Sequence, residues 1–288
     1  MLQAPQRTGL SGPTLIRLLT RLTDAEVQQS RQSLSDHLSQ WLGWTDAIAL
    51  SAALNTSPPV IAPGARLFSS AEERECVRVR TTLADAIASD TAATAAKRVA
   101  PARAPAKKLA AALAEDEFDY SSFRQRYLSL QHTMETSIGN LRSRLRGMVA
   151  ARNGEWTRLA VVDAIMDRAL LPKERALLGA IPKLLQTHFD RLRKAEEAAQ
   201  AAAQAQEADE APAEAGSAAP QGADADAAGD AAKPAPEAAP ARETPPAAAV
   251  TPGAWLDTFR ADMRAVLLAE LDVRLQPVEG LLAALRTS

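Results

Sequence analysis

Apolar positions along the chain recur at intervals of three and four, the spacing that gathers side chains on one face of an α-helix. No run of alternating β-branched residues competes with that spacing. The pattern predicts an all-α fold: an elongated helical bundle with coiled-coil-like long helices, and a C-terminal amphipathic helix reached through a long disordered linker. Ser11, Gly12 and Pro13 set up a short first helix over Thr14 to Leu22. Thr23 and Glu26 have capping-box spacing, and the helix they would start carries Val27, Leu34, Trp41 and Ile48 at sevens. Leu38, Thr45 and Ala52 fall between these positions, which predicts one long seam. Pro58, Pro59 and Pro63 end it in a loop. Ser70 leads the next helix, with Glu72, Glu73 and Glu75 at its positive end and Cys76, Val79, Leu83 and Ile87 on its apolar face.

The clearest pattern follows Glu115-Asp116-Glu117. Tyr127, Met134, Leu141 and Met148 stand at sevens, interleaved with Phe123, Leu130, Ile138 and Leu145. An unbroken helix over Asp119 to Arg152 would be roughly 50 Å long. A shorter helix through Trp156, Leu159, Val162, Ile165 and Met166 is expected to end before Pro172. Two further pieces, Lys173 to Ile181 and Pro182 to Glu197, follow it, the second with Leu185, Phe189 and Leu192 on one face. Beyond Thr251-Pro252 a wide stripe of Trp255, Phe259, Met263, Val266, Leu267, Leu271 and Leu275 predicts the last helix, kinked or broken at Pro277.

Composition divides these helices into regions. Residues 196–250 hold 25 Ala and seven Pro but no aromatic residue, too little apolar side chain to offset roughly 1–2 kcal/mol of backbone entropy per residue. A second stretch from Ser89 to Lys108 is rich in Ala, Lys and Arg and contains Pro101 and Pro105. The expected organisation is an N-terminal helical region over 1–90, a linker over 91–114 and a long-helix region over 115–195. A disordered linker over 196–250 and the C-terminal helix over 251–288 complete it, that helix packing back on the bundle. A flexible chain of that linker's length has an r.m.s. reach of roughly 40 Å, so the last helix can return to its own bundle or reach another chain.

Charge adds an asymmetry that the total of −2 conceals: residues 196–250 carry −9, so the remainder carries +7. One cysteine, Cys76, excludes an intramolecular disulfide. The N-terminus lacks the apolar core of a secretory signal, and no window approaches the ~18–20 apolar residues that span a bilayer. A cytoplasmic protein without a transmembrane segment is the expectation.

Candidate chemistry is sparse. His37, His132 and His188 fall on separate predicted helices with no second His or Cys at i+3 or i+4, so no metal-ligand pattern forms. Each is expected to be solvated or cap-bonded. Cys76 reads as a buried, inert thiol on an apolar face. No phosphate-binding glycine loop is present, nor the paired Glu-x-x-His of a di-metal bundle. Asp163 and Asp167, one turn apart and near Arg168 and Lys173, read as a solvated ion-pair face. These readings assign no catalytic, cofactor or metal residues, and the chain is expected not to be an enzyme.

What remains is binding. Helix-interface candidates are Leu34, Trp41 and Ile48; Tyr127, Met134, Leu141 and Met148; and Trp255, Phe259 and Val266. They predict a non-enzymatic interaction or scaffold protein that self-associates or docks on a protein partner. Residues 119–195 hold 14 Lys and Arg against seven Asp and Glu, which keeps open a low-specificity nucleic-acid binder. Phe123 and Tyr127, which flank Arg124 and Arg126, belong to the apolar stripe and are not expected to stack bases, so nucleic acid is the disfavoured partner.

Three stretches resemble a known family: Thr8 to Leu15 (TGLSGPTL), Gln32 to Ala47 (QSLSDHLSQWLGWTDA) and Asp262 to Arg286 (DMRAVLLAELDVRLQPVEGLLAALR). They are similar to the proteobacterial family catalogued as domain of unknown function 3348. The resemblance also takes in the helical region from Phe123 to Arg193 and leaves the Ala-rich linker as variable filler. That family has no established activity and defines no functional residues to carry over. The resemblance suggests company with envelope proteins of the proton-channel and peptidoglycan-binding kinds, and hence a cytoplasmic adaptor of a membrane complex as the alternative reading.

Overall fold

The structure is a computed structural model that describes residues 13–23, 32–55, 68–99, 119–210 and 253–287. All regular structure within them is helical: α1 (Thr14–Thr23), α2 (Leu34–Trp41), α3 (Trp44–Asn55), α4 (Ser70–Val99), α5 (Tyr120–Ala150), α6 (Gly154–Leu178), α7 (Ile181–Glu210) and α8 (Ala254–Arg286). The fold is all-α. Glu26 and Val27, the Pro58–Pro63 loop, residues 100–118, the linker from 211 onward and the Thr251-Pro252 cap lie outside the described residues.

α8 is the central element. It packs against α5, α4, α7 and α1, and buries Leu256, Phe259, Met263, Val266, Leu267, Leu271, Leu275, Val278 and Leu282, among others. A stripe that wide cannot be covered by one neighbour, so several helices close around it. Gly253 precedes α8 at φ 86°, a left-handed conformation in which a side chain would be strained. At this end the rings of Tyr120, Phe123, Phe189, Trp255 and Phe259 meet with centroids 5.0–6.3 Å apart, mostly tilted or edge to face.

α5 starts at an N-cap, where the Asp119 side chain accepts from Ser121 N–H, and runs unbroken for 31 residues. Its buried positions are Tyr120, Phe123, Tyr127, Gln131, Met134, Ile138, Leu141, Leu145 and Val149. Leu130 and Met148, both on the expected heptad stripe, are only partly buried. A straight helix drifts by roughly 20° per heptad from a 3.5-residue repeat, so Gln131 and Val149 rotate into the positions the strict repeat assigns to their neighbours.

α5 then folds back on α6 across Ala151–Asn153. Asn153 caps α6 through Trp156 N–H, and Thr157 Oγ1 reaches the carbonyls of Ala150 and Asn153. The next turn needs Gly179, because a Cβ there would lie 2.8 Å from the Arg175 carbonyl oxygen. α7 follows, burying Ile181, Leu185 and Phe189.

Several expected boundaries fall elsewhere. Thr23 does not begin a helix: it lies in the last turn of α1, with its hydroxyl on the Leu19 carbonyl. The capping box that does form is Ser33 with Asp36, at the start of α2. The single seam through Leu34, Trp41 and Ile48 is therefore two helices, separated where Leu42 turns extended beside Gly43. Pro172 and Pro277 each lie inside a continuous helix. A proline costs one backbone hydrogen bond there, and packing on both sides of it offsets that loss. α4 reaches Val99 and α7 reaches Glu210, each extending into stretches expected as linker. Runs of Ala, Lys, Gln and Glu are strong helix formers, so a helix already nucleated by packing propagates into them.

Candidate interaction surface

The heptad positions separate into two groups. Tyr127, Met134, Leu141, Trp255, Phe259 and Val266 are buried in the core of the single chain, and Met148 packs at its edge. Leu34, Trp41 and Ile48 are exposed, at 75%, 36% and 53%. Trp44, which has no place in the seam, is the most exposed large apolar residue among those described, at 81%, and Leu54 is 58% exposed. The other tryptophans, Trp156 and Trp255, pack against the core.

The exposure of α3 follows from its sequence and its neighbours. Eight of its twelve residues are apolar, Trp44, Ala47, Ile48, Ala49, Leu50, Ala52, Ala53 and Leu54, and its outer face sets Trp44 and Ile48 beside Ser51 and Asn55. It packs chiefly on α6, towards which it turns its half-buried Asp46, Ala49, Leu50 and Ala53. At 100° per residue, Trp44 and Ile48 fall opposite that side and point directly away from the body. The α2–α3 surface is also nearly free of charge. Residues 32–55 contain no Lys or Arg, and their acids are Asp36 and Asp46. The Ser33 side chain, and after it the Ser33 N–H that Asp36 accepts from, hold the Asp36 carboxyl below the usual range. Asp46 accepts from Gly43 N–H and pairs with Arg168 of α6 at 3.4 Å, fastening α3 to the body.

Polar groups elsewhere are matched to one another. Glu270, fully buried on α8, accepts from Tyr127 Oη at 2.6 Å and from Gln131 Nε2 at 2.9 and 3.0 Å. It also accepts from Arg274 Nε at 2.9 Å. Arg274 reaches on to Glu174 of α6 at 3.0 Å, and Gln131 donates to the Leu178 carbonyl at 3.1 Å. Burial, with the Glu270 carboxylate beside it, pushes the Tyr127 hydroxyl far above its ordinary range, so Tyr127 stays a donor. Burial likewise raises Glu174, while the bond from Arg175 lowers Glu135. Glu135, Arg142, Asp167, Glu174, Arg274 and Pro277 line a cavity of about 50 Å³, large enough for ordered water. This network links α5, α6 and α8.

Sequence reasoning missed Gln131, Glu270 and Arg274. The available signal was their register: Gln131 lies four residues from Tyr127, and Glu270 and Arg274 continue the spacing of Met263 and Val266. The reading of Asp163 and Asp167 as a solvated face is corrected in the same way. Arg142 bonds Asp163 and Asp167 at 2.6 Å, and Arg146 bonds the same two carboxylates at 2.7 Å. All four side chains are 15–31% exposed, forming a bidentate lattice between α5 and α6.

His188 is neither solvated nor cap-bonded. It is buried at 4%, with Nε2 at 2.9 Å from Asp262 and Nδ1 at 3.1 Å from Arg191, and so ties α7 to α8. Arg191 also donates to the Leu22 carbonyl, and Arg21 pairs with Asp262, which fastens α1 to the same point. Cys76 is half-buried beside a groove of about 660 Å³ between α4 and α8. Burial pushes its thiol up, away from the thiolate. Among the described residues no group of three His, Cys, Asp or Glu could hold a metal ion, and no helix is long and apolar enough to cross a membrane.

Compared with known proteins, residues 1–220 and 228–287 match the model of the family described as protein of unknown function (DUF3348). No curated protein and no solved structure matches the chain.

Proposed function

The chain belongs to the family of domain of unknown function 3348, and from its own surface we propose that it is a non-enzymatic helical interaction protein whose docking face is α2–α3. The observation that carries this reading is Trp44 at 81% exposed and Ile48 at 53%, side by side on the outer face of α3. Single exposed apolar residues are ordinary on any protein. Leu34, Trp41, Trp44, Ile48 and Leu54 together, two of them tryptophans, have the composition of an interface centre.

The same geometry weakens the nucleic-acid reading of residues 119–195. Arg142 and Arg146 are committed to Asp163 and Asp167, Arg175 to Glu135, and Arg152 to the Ala284 carbonyl. Paired guanidinium groups release fewer counterions on meeting a phosphate backbone. An adaptor role at a membrane complex is compatible with a docking face of this kind, and no observation here favours a particular envelope partner.

The test is photo-crosslinking in cells from a benzoylphenylalanine introduced at position 48, with position 193 on α7 as an exposed polar control. Adducts formed from position 48 and absent from position 193 are expected. Equal labelling, or none from position 48, would count against α2–α3 as the docking face.

A further inference from the structure

We infer that the α2–α3 face closes on the same face of a second copy of this chain, forming a two-fold symmetric pair centred on Trp44 and Ile48. This rests on the interaction reading above and names its partner. Area is the first argument. With full areas of roughly 150–250 Å² for side chains of this size, the exposed fractions of Leu34, Trp41, Trp44 and Ile48 amount to roughly 500 Å². Two such faces together bury roughly 1,000 Å², the area a specific interface needs to clear.

Charge selects the occupant. An isologous pair sets one patch against the same patch, so an excess of one charge on it would meet the same excess across the axis. Residues 32–55 avoid this: they lack any cation, and Asp36 and Asp46 are each occupied locally. Anionic lipid headgroups and nucleic-acid phosphates would find no Lys or Arg there to pair with. A strongly charged protein partner would find no complement either. Asp46 faces inward to Arg168, so the pair does not set two free carboxylates against each other.

The experiment is sedimentation velocity on the full-length chain from about 1 µM to about 100 µM, a range that resolves micromolar association. The double variant Trp44→Ser/Ile48→Ser is run beside it, with Trp44→Ser alone as a milder version. A dimer is expected for the parent, with at least tenfold weaker self-association in the double variant and unchanged helical circular dichroism. A parent that stays monomeric throughout, or a dimer that both variants leave intact, would overturn the inference. The position-48 crosslinks separate the two levels. A monomer crosslinked to a different protein sinks the self-pairing and keeps the docking face, whereas a monomer crosslinked only within itself, or not at all, sinks both.

Discussion

α8 and α3 are both rich in apolar residues, yet α8 is enclosed by α1, α4, α5 and α7 whereas α3 leans chiefly on α6. The enclosed helix can therefore carry Glu270 at zero exposure, because Tyr127, Gln131 and Arg274 arrive from two helices to satisfy it. The half-covered helix holds Asp46 against its one neighbour and leaves Trp44 in solvent. Interior polarity here is a sign of completed packing, and exterior apolarity a sign of packing still to be completed. The two helices thus differ in coverage: α8 holds the fold together, and α3 leaves Trp44 and Ile48 exposed.

The largest expected break in this contrast is deletion of residues 253–287. Loss of α8 exposes the inner faces of α4, α5 and α7 at once, so cooperative thermal unfolding disappears in calorimetry. Deleting 32–55 instead should leave a cooperative transition. Next comes Glu270→Ala, which strands a buried guanidinium, a phenol and an amide and is expected to cost about 3–5 kcal/mol by urea denaturation. Asp163→Ala leaves Arg142 and Arg146 short of acceptors in a half-exposed setting, with an expected cost of about 1–2 kcal/mol in the same assay. Trp44→Ser should change the stability of the isolated protomer by about 0.5 kcal/mol or less, since the side chain makes few contacts there.

The smallest effect is in pH dependence. Glu174 has a raised folded-state pKa because it is desolvated, so the penalty for ionising it is absent below the ordinary glutamate range and grows as pH rises through that range. Glu174→Gln should therefore gain in melting temperature relative to the parent as pH goes from about 4 to about 7. Glu135 is lowered by Arg175, so its contribution is present above the ordinary range and lost as pH falls through the folded value. Glu135→Gln should show the opposite trend across the same series. Parallel melting curves for the two variants would refute the signs.

Legibility from sequence followed the same division. The buried stripes of α5 and α8 could be read directly, because periodicity reports a helix face that long neighbours must cover. The fate of Leu34, Trp41 and Ile48 could not, because heptad spacing does not register the interruption at Leu42–Gly43 or the number of neighbours a helix will meet. Pro172 and Pro277 misled for a related reason: a local breaker yields when both flanks of the helix are held by tertiary contacts. Polar contacts across helices were hidden for want of inter-helix register. Arg142 with Asp163 is separated by 21 residues and a turn, and Tyr127 with Glu270 by 143. Gln131, Glu270 and Arg274 each stood in register with a core stripe, the one sign in the sequence that they would be buried and need partners.

The most direct measurement is the melting temperature of the full-length chain at two protein concentrations about a hundredfold apart, for the parent and for Trp44→Ser/Ile48→Ser. If α8 completes the protomer and α3 is completed by a second copy, the parent melts higher at the higher concentration and the variant melts at one temperature throughout. A parent whose melting temperature ignores concentration, or a variant that keeps the parent's dependence, would contradict the assignment of these two helices.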